Sequence, residues 1–388
     1  MFFNEYLKTI PFIDIIKEAS GDCQLYLVGG SVRDIILKRQ TADYDMVVFG
    51  TDYESFAFKL AKKMKAAAIK FKDNVRIAKK GIEFDISAPR GQNILEDLQK
   101  RDFTINNLAL SMSGELVGDS SDINKKIIRM VHKDIFNDDP LRVLRTYRFA
   151  SQLGFEIDSL TAETALIFAP KLKNIAGERI FAELQKLAEG KDCLKFMSKL
   201  VEDGILNIIA NTSKDEEVML AKALKEMEAE NLFIKMSAFI FGFRDNPLKQ
   251  METMTFPAKI SKLVATTAKA FETLKSIDCS DVENFEEYVY NFRIEKYMAA
   301  DMFYSIYGQK DKLLNNIKNA DSKMDFSKER IVNGEVLKQL GVPDGKVMGT
   351  IIKEVSFKLV SGKLENLEDA KIYIKQHYKE HINEAFEI

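Results

Sequence analysis

Histidine is scarce in this chain: His132, His377 and His381 are all it has. His377 and His381 stand four apart in HYKEH, but Tyr378 occupies the position where a zinc protease needs glutamate, so the pair reads as part of a terminal surface helix. Cysteine is equally sparse. Cys23, Cys193 and Cys279 lie too far apart for a metal-ligand spacing and read as reduced, buried thiols of an intracellular protein. The N-terminal MFFNEYLKTIPF lacks a basic segment followed by a long apolar stretch, and nowhere is an apolar run long enough to span a bilayer. The reading is a cytoplasmic protein with no membrane partner. Excess charge of one sign is also missing. The 57 Lys and Arg against 59 Asp and Glu leave a formal charge of -2, so any nucleic-acid surface must come from local clustering. No low-complexity segment or fixed repeat is evident.

What is there is length for two or three domains in 388 residues, and one informative stretch, LVGGSVRDIILKRQTADYDMVV, from Leu27 to Val48. An apolar run from Leu25 to Val28 stops at Gly29-Gly30, a helical pattern follows from Ser31, and a second apolar run carries Asp43 and Asp45. This is strand, glycine turn, helix, strand. Paired glycines let backbone amides approach an oxyanion closely, and the helix start adds partial positive charge, so the turn suits a phosphate. Asp43 and Asp45 are two apart on a strand and emerge on one face. Side-by-side carboxylates repel unless neutralised, and a pair of hard cations such as Mg2+ neutralises them while serving in-line displacement at phosphorus. A hairpin is expected from VRIAKKGIEFDIS, with Lys79-Lys80-Gly81 as its turn. Glu83 and Asp85 share a face of its second strand. One of them can sit opposite the aspartate pair, the other then being a solvated strand residue.

Residues 1–20 read as a short amphipathic helix broken near Pro11 that packs against the sheet. A helix from Tyr53 to Lys65 offers Phe56, Phe58, Leu60, Ala61 and Met64 for burial, and the alternation of elements predicts a small mixed sheet with helices on one face. From about Asp138 apolar residues recur at three and four, with helical patterns around 159–169, 176–189, 191–202 and 215–229. Breaks are expected at 244–249 and 256–259. Asp139 and Arg142 are three apart in a helical pattern, and a carboxylate beside a guanidinium can mimic the edge of a base. Asp138, Arg145 and Arg148 fall on nearby faces of the same pattern, where Arg148 reads equally as a surface charge.

The ordered set GGSVRD, DYD, RDFTINNLAL (Arg101–Leu110) and Asp138-Asp139-Pro140-Leu141-Arg142-Val143-Leu144-Arg145 resembles the class II tRNA nucleotidyltransferase and bacterial poly(A) polymerase superfamily. Asp85 lies five residues before Arg90, as the third acid of that pattern does, and Glu178–Leu184 resembles its ER-x-x-x-EL segment. Asp138 stands where the family has Glu. The resemblance implies an α+β fold: a polymerase-beta-like head with a small mixed sheet at 1–137, then an all-α neck at 138–190, body at 191–255 and tail at 256–388. It implies Asp43, Asp45 and Asp85 as catalytic acids, with Asp43 and Asp45 holding Mg2+ and Asp85 completing the ligands of the nucleophile-side metal. Gly29, Gly30, Ser31 and Arg33 would hold phosphates, with Asp34 bracing Arg33. Asp102 would touch the sugar, with Asn106 in the same pocket and Arg101 as polar support. Asp139 and Arg142 would read C and A through their Watson-Crick edges, and Arg145 would orient them. Glu178 or Arg179 would brace the template helix.

The segment Gly341-Val342-Pro343-Asp344-Gly345 resembles the family's tail glycine motif, shifted by Asp344, where tRNA is held. The histidine count rules out an HD-type phosphohydrolase appendage. The implied partners are tRNA lacking a complete 3′ CCA end and CTP, with ATP if the end is completed. Family members that add A usually carry a flexible loop of some twenty residues after the third-acid strand. Here only Gly91-Gln92-Asn93-Ile94-Leu95 separates Arg90 from Glu96, which resembles the CC-adding subgroup and implies a separate A-adding enzyme. A poly(A) polymerase and a non-catalytic RNA-binding relative are the alternative readings.

Overall fold

The computed structural model describes residues 2–242, 246–278 and 282–382. Cys279 and residues 244–245 of the expected break at 244–249 lie outside them. The chain divides into two compact units, Met1–Thr212 and Ser213–Ile388.

The first unit opens with α1 (Phe2–Thr9) and α2 (Ile13–Ser20), then β1 (Gln24–Val28), α3 (Gly30–Ile36), β2 (Asp43–Phe49), α4 (Tyr53–Met64), β3 (Ala67–Lys70), β4 (Asn74–Lys79), β5 (Ile82–Ser87) and α5 (Ile94–Gln99). After a single 3-10 turn at Thr104–Asn106 come β6 (Ala109–Ser111), β7 (Leu116–Val117), α6 (Ser121–Lys125), β8 (Ile127–Ile128) and α7 (Ile135–Asp138). Next are α8 (Arg142–Leu153), β9 (Glu156–Ile157), α9 (Ser159–Phe168), α10 (Gly177–Ala188), α11 (Cys193–Glu202) and α12 (Ile205–Ala210).

Seven strands form one mixed sheet in the order β3-β4-β5-β2-β1-β6-β7. β1 and β2 are antiparallel neighbours, whereas β2 and β5 run parallel. The glycine turn and α3 therefore do not make a parallel crossover. A seven-residue helix rises only about 10 Å, too short to return the chain to the start of a strand like β2.

One face of the sheet presents Leu25, Leu27, Met46, Val48, Phe84 and Ile86, all buried, with α4 packed on that side. Asp52 caps α4 by accepting from the Ser55 amide at 2.8 Å. Phe56, Leu60, Ala61 and Met64 are buried as expected, but Phe58 is exposed and Ala57 takes the inward position. Two residues along a helix is a turn of about 200°, which carries Phe58 to the opposite side from Phe56. The other face carries Asp43, Asp45 and Val47. Helices are not confined to one face, because Ile94 and Leu98 of α5 cluster with Val28, Val47 and Ala109 there. Beyond Asp138 the elements of the described residues are helical except for β9, which pairs in parallel with β8 over two residues.

The second unit is α-helical: α13 (Lys214–Glu226), α14 (Leu232–Phe241), α15 (Pro247–Thr253), α16 (Ala258–Ser276), α17 (Val282–Asn291), α18 (Glu295–Tyr307), α19 (Lys310–Lys323), α20 (Gly334–Gln339), α21 (Lys346–Val360) and α22 (Leu367–His377). Ser213 and Glu216 form a reciprocal capping box at the start of α13. The expected break at 256–259 is the α15–α16 junction, with Pro257 at the N-cap. Asn333 caps α20, and Gly345 at φ 150° starts α21, so the Gly341–Gly345 segment stops one helix and starts the next. His377 closes α22 with its ring stacked on Tyr373. Among the described residues no helix is long and apolar enough to cross a membrane.

Candidate active site

Gly29 ends β1 with φ 64°, a conformation that glycine adopts without strain. A Cβ there would also meet Arg101 Nη1 at 3.0 Å. The Gly29 amide donates to Leu108 O at 3.0 Å, and Ser31, 3% exposed, points back at β2. Its hydroxyl donates to Asp43 O (3.2 Å) and accepts from the Asp45 amide (2.8 Å). Ser31 therefore fixes the aspartate strand against the glycine turn, and its hydroxyl is spent on backbone rather than turned to the cavity.

That cavity, of 680 Å³, is lined by Gly29, Gly30, Arg33, Asp43, Asp45, Asp85, Asp102, Asn106, Asp139, Arg142 and Arg145. Of the residues expected to meet metal, phosphate, sugar or base, all but Ser31 are on its wall. Arg90, Arg101, Arg148, Lys186 and Phe149 line it as well, so the space is dominated by charge of both signs.

Asp43 and Asp45 project from β2; Ser31 and Thr41 bond only their backbone, and among the described residues no side chain forms a hydrogen bond or ion pair with either carboxylate. The Asp45 carboxyl is pushed above its ordinary value by desolvation, then by Asp85 and Asp43, with Arg101 and Arg33 pulling it back. Two unpaired hard-oxygen donors on one strand face fit a hard divalent cation. Asp85 lies opposite Asp45 in the β2–β5 register, but both its oxygens are taken by Arg76, at 2.9 and 2.7 Å. Among the described residues no three His, Cys, Asp or Glu converge as a metal-binding cluster. The protein itself presents a two-aspartate site, with the third acid held aside. Glu83 is not solvated alone either, for Arg76 Nη1 reaches it at 2.6 Å.

Arg33 begins a chain of polar contacts. Asp34 accepts from it twice, at 3.0 and 3.2 Å, and its Nη1 donates to Asn106 Oδ1 at 2.7 Å. Asn106 donates to Asp102 at 3.0 Å, and Asp102 also accepts from Arg145 Nε (2.9 Å) and Nη2 (2.5 Å). Arg145 lies 3.8 Å from Glu183, which accepts from Arg148 at 2.5 Å. Burial raises the Asp102 carboxyl, but Arg145, Asn106 and the Phe103 amide outweigh it and hold the value at about 2. Arg33, Arg145 and Arg148 all face the Phe149 ring, at 5.5, 5.2 and 3.9 Å. Arg148, whose sequence context allows a surface charge equally well, is buried. The signal that marks it is the run Arg142, Arg145, Arg148 at steps of three, which places all three on one helical face.

Asp139 and Arg142 are not neighbours on one helix. Asp139 is extended (φ -145°, ψ 101°) after α7, and Arg142 is the first residue of α8. Pro140 disfavours helical backbone at the residue before it, so the helix breaks at Asp139. Asp138, for the same reason, lies on α7 and not on the helix of Arg145 and Arg148. Asp139 accepts from Arg179 at 2.8 Å, while Arg142 donates to Ile135 O (3.2 Å) and Lys100 O (3.4 Å). The two side chains reach the same cavity from either end of a turn. Arg101 pairs with the fully buried Asp97 at 2.7 Å.

Residues 25–129 match the family model for the poly(A) polymerase head domain, 154–212 that for the RNA- and SrmB-binding site of polymerase A, and 225–372 that for domain 2 of tRNA nucleotidyltransferases. The CCA-adding enzyme of Streptococcus agalactiae is 28% identical over 412 residues, covering 97% of this chain and 98% of the relative. That of Streptococcus gordonii is 25% identical, covering 96% and 98%. The fold is that of the Thermotoga maritima CCA-adding enzyme complexed with tRNA (TM-score 0.73, 20% identity, 97% and 98% covered). It is also that of a CCA-adding enzyme in complex with CTP (TM-score 0.76, 21% identity, 97% and 98% covered). The chain belongs to the class II superfamily of CCA-adding enzymes and poly(A) polymerases, and its chemistry is nucleotidyl transfer.

Proposed function

We propose that this chain is a tRNA nucleotidyltransferase that extends the tRNA 3′ end from CTP without a nucleic acid template. The observation that carries this reading is the single cavity shared by the glycine turn, the β2 aspartates and the Asp139 and Arg142 side chains. Roles follow from chemistry. Gly29, Gly30 and Arg33 hold the triphosphate, Asp102 and Asn106 the sugar, and Asp139 and Arg142 the base edge. Arg145 fixes the Asp102 carboxylate, and Arg179 fixes that of Asp139. Asp43 and Asp45 hold Mg2+, which when bound lowers the pKa of the attacking 3′-hydroxyl and neutralises the leaving pyrophosphate. Asp85 acts from the neighbouring strand. The protein's contribution is positioning and charge, as in phosphoryl transfer generally. By role we divide the chain into a catalytic head (1–137), neck (138–190), body (191–255) and tRNA-holding tail (256–388).

The product we propose is CC. Residues 88–93 join β5 to α5 and are pinned: Arg90 N donates to Asp97 at 2.8 Å, Gln92 N to Glu96 at 2.9 Å, and Asn93 caps α5. A second reading, complete CCA, is favoured by the curated relatives, which are CCA-adding enzymes. A product ladder at single-nucleotide resolution decides between them, using tRNA ending at the discriminator base with CTP, ATP or both. The expected stop with both nucleotides is at plus two. A stop at plus three makes this a CCA-adding enzyme, and long A tails on general RNA make it a poly(A) polymerase. Asp45→Asn is expected to reduce incorporation to background in every lane.

A further inference from the structure

The register of β2 on β5 sets Asp43 beside Glu83 and Asp45 beside Asp85, so four carboxylates occupy one face of two adjacent strands. Like charges directly opposite one another across a ladder are destabilising. The protein relieves half of this array itself. β4 places Arg76 opposite Asp85, and the guanidinium gives Nε and Nη2 to Asp85 (2.9 and 2.7 Å) and Nη1 to Glu83 (2.6 Å). Phe71 lies against the same guanidinium at 5.8 Å. The bond to Asp85 and the nearby acids hold Arg76 more firmly charged than a free arginine. Among the described residues the carboxylates of Asp43 and Asp45 receive no such partner.

We propose that Arg76 is a built-in counter-cation that competes with the divalent metal for Asp85, so that Arg76, and not the acids alone, sets the metal affinity of the site. The proposal rests on the metal reading of Asp43 and Asp45 above. A bidentate guanidinium occupies both oxygens of a carboxylate in a fixed fork. A cation bound to Asp45 that turns to the adjacent Asp85 must share its oxygens with that fork, and it also meets the positive charge of Arg76 at short range. Arg76 thus works through Asp85 as a positioning residue. It keeps the strand pair stable without metal at the expense of metal affinity.

The test is a Mn2+ titration of the full-length protein without nucleotide, read by the EPR signal of free Mn2+, on wild type, Arg76→Met, Arg76→Lys and Asp45→Asn. Removing one unit charge near the site is expected to tighten Mn2+ binding about ten-fold in Arg76→Met. Arg76→Lys keeps the charge, loses the fork and is expected to fall between Met and wild type. The Mg2+ concentration for half-maximal CTP incorporation moves down in the same order. Equal or weaker Mn2+ binding in Arg76→Met overturns the proposal while leaving the metal reading intact. Mn2+ binding that is absent from wild type, or that survives Asp45→Asn, overturns both. If Arg76→Met fails to fold by circular dichroism, Arg76→Lys decides: tightened binding supports the competition and unchanged binding ends it.

Discussion

Asp102 carries the clearest pH signature of any single residue here. Its folded pKa of about 2 lies below the ordinary aspartate value of 3.8, so its ionised form is favoured in the native state. The stabilisation is complete above pH 4 and is lost as the pH falls from about 4 to about 2. A shift of this size corresponds to about 2 kcal/mol. Asp102→Asn is expected to lower unfolding free energy at pH 7 by about that amount and to flatten the stability loss between pH 4 and 2, measured by urea denaturation across pH. A full-sized acid limb in the variant would assign that limb to other carboxylates. The sequence marked Asp102 through its motif, yet the path from Arg33 through Asn106 to Arg145 could not be read from it. Those contacts join residues 73 and 43 positions apart, and only the fold brings them together.

At the scale of elements, one turn residue decided what was legible. The sequence reads as a three-residue turn at Lys79-Lys80-Gly81; the observed turn is Lys80-Gly81, both at positive φ (51° and 78°), and Lys79 pairs with Ile82. Two-residue hairpins favour this backbone because it matches strand twist. That register places Arg76 opposite Asp85, which no inspection of either strand alone reveals. Pro140 acts similarly, since the helical spacing of Asp139 and Arg142 ignores the break it imposes. The short connection after β5 was visible as a gap, but its rigidity was not. A Cβ on Gly91 would sit 2.4 Å from Glu96 Cβ and 2.9 Å from Glu96 C, contacts that backbone must move to relieve. Gly91→Ala is therefore expected to cost about 1–3 kcal/mol in thermal or urea unfolding. A cost near zero would show that residues 88–93 move freely and would detach the CC product from a pinned connection. Inserting a flexible segment of about twenty residues at Gly91-Gln92 is the complementary change, expected to carry the product from plus two to plus three.

Over the whole molecule, periodicity located helices well and their packing poorly. The patterns at 159–169, 176–189, 191–202 and 215–229 correspond to α9, α10, α11 and α13 within a few residues. The buried ion pair of Lys235 and Asp301, which joins α14 to α18 in the second unit, had no sequence signal, because a lysine in a helical pattern reads as surface. Charge gives the remaining whole-chain expectation. With a formal charge of -2 the protein has no bulk attraction for RNA, so tRNA affinity must rest on a few local Lys and Arg contacts that release counterions. Each phosphate contact contributes a slope of about -0.9 to log K against log salt on duplex nucleic acid. A total slope between about -2 and -5 is expected from filter binding of tRNA between 50 and 200 mM salt, and about three contacts would give a loss on the order of forty-fold. CTP incorporation at saturating tRNA should change far less, since it reads the cavity and not the RNA surface. A slope near zero would remove tRNA as the polymer substrate. A slope near -10 would demand a basic surface that the balance of 57 basic and 59 acidic residues makes hard to assemble.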